Sequence, residues 1–101
     1  MRILVADDHA VVREGLKSLI EKEADMEIVG EAEDGRTAVQ LAKELSPDIV
    51  IMDIKMPDVP ELSGIEATRL ILAEKPEIRV VVFSVYPYEH IVLEALKAGV
   101  F

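Results

Sequence analysis

Cysteine is absent from the 101 residues, which excludes disulfides, thiolate metal sites and cysteine nucleophiles. No apolar run approaches the roughly 18 residues of a membrane span, and with an apolar strand at residues 2–6 no secretory leader is expected. A cytoplasmic location with no membrane partner is therefore expected. Basic residues are scarce, with 11 Lys and Arg against 20 Asp and Glu and a net charge of -9. Phosphate contacts require Lys and Arg, so this segment is not expected to grip nucleic acid by itself. DNA contact would have to come from a further domain. Internal repeats and low-complexity linkers are lacking too. What is present is a chain 50% apolar and 31% charged, the composition of one acidic globular domain, small for an α/β fold.

Apolar periodicity divides the chain into alternating elements. Residues 2–6 read as a strand, and Ala10 to Lys22 as an amphipathic helix burying Val12, Leu16, Leu19 and Ile20, with Asp8 or His9 as its cap. Met26 to Ala32 is a second strand, and Glu33-Asp34-Gly35 a turn. Thr37 to Leu45 is a second helix, stopped by Ser46-Pro47. Ile49 to Met52, between Pro47 and Pro57, reads as a strand buried on both faces and ending in Asp53. Ser63-Gly-Ile-Glu66 has the form of a capping box and opens a helix to about Lys75, burying Ile65, Thr68 and Leu72. Val80 to Phe83 is a fourth strand delivering Ser84, and Pro87 starts a fourth helix that Gly99 ends.

Four βα repeats in this order predict an α/β fold, a doubly wound parallel sheet of flavodoxin-like type with right-handed crossovers. A fifth βα pair would need only about 17–20 more residues. Residues 1–101 are accordingly read as one domain lacking its fifth strand and helix. The strand at 80–83 is then an open edge, and self-association as a dimer or domain swap is expected. In such sheets ligands bind beyond the carboxyl ends of the strands, where the strand order reverses. Asp7, Asp8 and Asp53 all fall at strand ends, and side by side they would repel strongly unless a cation joined them. The cluster implies a metal.

Taken together, these residues resemble the receiver domain of bacterial two-component response regulators. The resemblance rests on the acidic pair in Val5-Ala-Asp-Asp-His9, the run Met52-Asp-Ile-Lys-Met-Pro57 followed by Ser-Gly64, the hydroxyl in Val82-Phe-Ser84, and Ala95-Leu-Lys-Ala-Gly99. Asp-Asp-His9 with Arg13-Glu-Gly-Leu16, and Val29-Gly-Glu-Ala32 with Asp34-Gly35, is similar to the NarL/FixJ subfamily, whose receivers precede a LuxR-type helix-turn-helix. The resemblance spans the whole chain. It implies that Asp53 accepts a phosphoryl group from a sensor histidine kinase, forming an aspartyl phosphate. It further implies Mg²⁺ held by Asp8, Asp53 and the backbone carbonyl of Lys55, with Asp7 acting through a water. A hard ion that takes carboxylates, water and phosphate oxygens suits that set. Ser84 would bind the phosphoryl group as the switch, and Tyr86 and Tyr88 would lie on the output surface, with transcription as the output.

The sequence departs from the family pattern in ending before the fifth-strand lysine, and Lys55 and Lys97 do not occupy its position. Three extra residues stand between Pro57 and Gly64. His9 is read as a helix-start residue rather than a ligand, and His90 as a surface residue. Two other classes stand beside the signalling reading. A pseudo-receiver would work as an interaction module without phosphorylation. A Mg²⁺-dependent phosphohydrolase of the haloacid dehalogenase kind would want Asp-x-Asp after the first strand, which Asp7-Asp8 does not supply.

Overall fold

A computed structural model describes residues 1–53 and 64–83. The short runs of Ile, Leu and Val form four parallel strands, β1 (Arg2–Ala6), β2 (Glu27–Ala32), β3 (Ile49–Asp53) and β4 (Arg79–Phe83), in the order β2-β1-β3-β4. Between them run α1 (Ala10–Glu21), α2 (Gly35–Leu45) and α3 (Gly64–Glu74). The chain moves outward from β1 to β2, then crosses back to lay β3 on the other side of β1. That reversal is the switch point the alternating pattern predicted. The expected fourth helix lies outside the described residues.

Helices cover both faces, unequally among the described residues. On one face Leu4, Ala6, Val50, Met52 and Val80 pack beneath Ala38 and Ala42 of α2 and Ile65, Ala67 and Ile71 of α3. On the other, Ile3 and Val5 meet Ile20 of α1, with Leu16, Ile28, Ile49 and Ile51 partly buried around them. The strand at 49–53 is thus sealed on the α2–α3 face and only half-buried on the α1 face, where fuller burial was expected. Val81, level with Ile51 on the outer strand β4, is 41% exposed.

Three sequence expectations need correction. Leu19 is 63% exposed, because the inward ridge of α1 is Val12, Leu16 and Ile20 at four-residue spacing, and Leu19 stands one helical step, about 100°, from Ile20. α2 begins at Gly35 and not Thr37, because Asp34 caps it, its side chain accepting a hydrogen bond from the Thr37 N–H at 2.6 Å. His9 occupies the N-cap position of α1 but forms no side-chain cap bond. Other readings hold closely. Ser46 ends α2 in a left-handed conformation (φ 44°), its N–H donating to Ala42 O, with Pro47 behind it. Thr68 is fully buried and its hydroxyl donates to Gly64 O at 2.7 Å.

Candidate metal centre at the carboxyl edge

Register brings the two buried aspartates together. β1 and β3 pair Val5 with Ile51 and Ala6 with Met52, so one step further along the pleat Asp7 comes level with Asp53. Odd positions in both strands face α1, so both carboxylates emerge on the same face, 1% and 5% exposed respectively. The Asp7 N–H donates to Ala32 O at 2.9 Å, carrying the ladder one residue beyond β1. The backbone that delivers Asp7 is therefore as fixed as the sheet itself. Asp8 follows at the mouth, with a side chain 24% exposed.

The turn into α1 closes over these groups. The His9 backbone N–H donates to Asp7 Oδ1 at 2.7 Å, and its ring Nδ1 lies 3.1 Å from the same oxygen. His9 Nδ1 also stands 2.9 Å from Asp8 Oδ1. The hydrogen bond to Asp7, then the charge of Asp8, raises the His9 pKa above its ordinary value. Arg13, one turn into α1, reaches back to donate to Asp7 O at 2.6 Å and pairs with Glu31 of β2 at 3.4 Å. One guanidinium thereby ties the loop after β1 to the neighbouring strand.

One ligand atom from each of Asp7, Asp8, His9 and Asp53 falls within 4.8 Å of the others. The three acids picked out by their strand-end positions are brought together as expected. Asp8 Oδ1 is buried and accepts no hydrogen bond among the described residues, its contact with His9 Nδ1 at 2.9 Å being an ion-pair contact, which leaves its hydrogen-bonding capacity available to a cation. Clustered acid oxygens of this kind fit a hard divalent cation. Lys55, Ser84, Tyr86 and Tyr88, also expected at or near the site, lie outside the described residues. Two residues not foreseen at the site belong to it. His9 was read as a helix-start residue, and Arg13 as part of the Arg13-Glu-Gly-Leu16 run. The available signal was spacing, since Arg13 is four residues after His9 and helical side chains lean toward the N-terminus.

The sequence matches the response regulator receiver domain over residues 3–101. It is 46% identical over 98 residues to the transcriptional regulatory protein YdfI of Bacillus subtilis (strain 168), covering 97% of this chain and 44% of that protein. The chain spans under half the length of the curated transcriptional regulators it matches first. Among solved structures, the response regulator domain of Thermotoga maritima CheB superimposes with a TM-score of 0.87 at 45% identity, covering 99% of this chain and 73% of that one. A chain of the CheX–CheY–BeF₃–Mg²⁺ complex of Borrelia burgdorferi gives a TM-score of 0.88 at 28% identity, covering 99% and 72%.

Proposed function

Because this chain belongs to the response regulator receiver domain family, we propose that it is the phosphorylatable switch of a two-component system, with Asp53 as the phosphoryl acceptor. Receiver domains are signalling domains rather than classical enzymes. In the transfer, an Asp53 oxygen forms a bond to phosphorus as the bond to a histidine nitrogen of a sensor kinase breaks, leaving an aspartyl phosphate. The chemistry is mostly alignment and charge neutralisation. Asp8, Asp53 and the backbone carbonyl of Lys55 would hold Mg²⁺, which neutralises charge on the transferring group. Asp7 would act through a water, in keeping with the hydrogen bonds that already hold its Oδ1. Ser84 would then bind the phosphoryl oxygens and draw its loop inward, biasing the surface that carries Tyr86 and Tyr88.

The observation that carries this reading is the convergence of Asp7, Asp8 and Asp53 at the switch point, with a buried Asp8 oxygen lacking a hydrogen bond. The relative captured with BeF₃ and Mg²⁺ supports the choice of ion. The partner is then a sensor histidine kinase in the cytoplasm. A transcriptional output through a separate DNA-binding domain is supported by the names of the longer relatives. Self-association is supported by the apolar surface that the 41% exposed Val81 of β4 presents on the α1 face of the sheet. The test is intact mass after incubation with Mg²⁺ and an acyl phosphate. A single phosphoryl adduct is expected, absent without Mg²⁺ and absent in Asp53→Asn. Failure to form it, both here and in a chain extended through a fifth strand and helix, would favour the phosphorylation-independent module.

A further inference from the structure

Among the groups at the carboxyl edge, His9 is the one that oxygen-only cation chemistry does not use. We infer that His9 supplies an imidazole nitrogen to the centre and so gives it a preference for borderline divalent ions, of the Mn²⁺, Co²⁺, Ni²⁺ and Zn²⁺ class, over Mg²⁺. This rests on the reading of Asp8 and Asp53 as the cation ligands. Bonds of about 2.0–2.1 Å place neighbouring ligands of an octahedral ion about 3.0 Å apart. His9 Nδ1 stands 2.9 Å from Asp8 Oδ1, the spacing of adjacent ligands on one ion, and 3.1 Å from Asp7 Oδ1, which orients the ring from outside the ligand set. Its backbone N–H bond to Asp7 fixes the turn that presents the ring. At 64% exposure the ring is free to adjust its tilt. Imidazole adds little to Mg²⁺ binding but suits the later first-row ions, whose affinity for nitrogen rises from Mn²⁺ toward Cu²⁺. Coordination requires an unprotonated ring nitrogen, so metal binding at Nδ1 and a proton on Nδ1 exclude each other.

The opposing possibility makes an opposite prediction. If the ring merely neutralises Asp7 and Asp8, it competes with every cation alike. His9→Ala would then strengthen Mg²⁺ and Co²⁺ binding together, leaving their ratio unchanged. If His9 is a ligand, the ratio of Co²⁺ to Mg²⁺ affinity should fall in His9→Ala by at least the roughly 10-fold that loss of even an outer partner costs a metal site. Calorimetric titration of this chain and His9→Ala with both ions, at one fixed pH, decides between them. Pulsed electron paramagnetic resonance of bound Mn²⁺ gives an independent readout, with an imidazole nitrogen coupling expected in the native chain and missing in His9→Ala. An unchanged ratio and no such coupling would overturn the inference while Mg²⁺ binding stands. Mg²⁺ binding that survives both Asp8→Asn and Asp53→Asn would instead overturn the reading of the site, leaving the nitrogen coupling to decide the role of His9.

Discussion

A carboxylate taken out of water costs several kcal/mol unless partners or an ion repay it. Asp7 meets that cost with two contacts from His9 to one oxygen, whereas a buried oxygen of Asp8 has the ion-pair contact with the His9 ring but no hydrogen bond among the described residues. Asp8→Asn removes one of three converging charges and supplies an amide donor in its place. In ion-free buffer this variant should therefore unfold at higher urea than the native chain, by about 1–3 kcal/mol. A loss of stability in the presence of a chelator would contradict the account. The three aspartates were legible in the sequence because Asp7-Asp8 and Asp53 end two apolar strands, and strand ends share an edge in a parallel sheet. His9 and Arg13 were not, since their roles depend on the tilt of a ring and the reach of a long side chain back across a helical turn. The four-residue spacing of His9 and Arg13 permits that reach but fixes neither angle.

At the scale of elements, α2 shows what a cap contributes. The Asp34 carboxylate accepts the Thr37 N–H, and that bond holds its pKa below the ordinary value. A depressed carboxylate pKa stabilises the fold above the unfolded-state value near 3.8, and the contribution is lost as pH falls through the lower folded-state value. Asp34→Ala should cost about 1 kcal/mol at pH 7, and the difference from the native chain should shrink below about pH 4. Denaturant midpoints of both proteins across that range measure it. A gap that persists undiminished at pH 2 would assign the loss to something other than the charged cap. The element order and the pairing of β1 with β3 were readable from alternation and the crossover rule. The start of α2 was misplaced by two residues because Glu33-Asp34-Gly35 has the composition of a turn, and a turn and an N-cap use the same residue types for the same hydrogen bonds. The outward placement of Leu19 was hidden for a related reason, since periodicity marks a stripe of apolar residues without its width.

For the molecule as a whole, a net charge of -9 and a concentration of acid at one sheet edge make the folded state responsive to cations in two separable ways. Diffuse screening acts on exposed charges, follows ionic strength and damps interactions over a length of about 10 Å at 0.1 M salt. Binding at the Asp7, Asp8 and Asp53 cluster follows mass action on the native state alone. That cluster joins β1 to β3, the two strands at the centre of the described sheet, so a bound ion would link the α1 side of the chain to the part that carries β4. At Mg²⁺ a hundredfold above its dissociation constant the gain is about 2.7 kcal/mol, or roughly 10–20 °C in Tm for a domain of this size. Sodium chloride at matched ionic strength should give only a fraction of that rise, and Asp8→Asn should respond to the two salts alike. Equal responses of the native chain to Mg²⁺ and to matched sodium chloride would reduce the cluster to ordinary surface charge and remove the ion from the account of the fold.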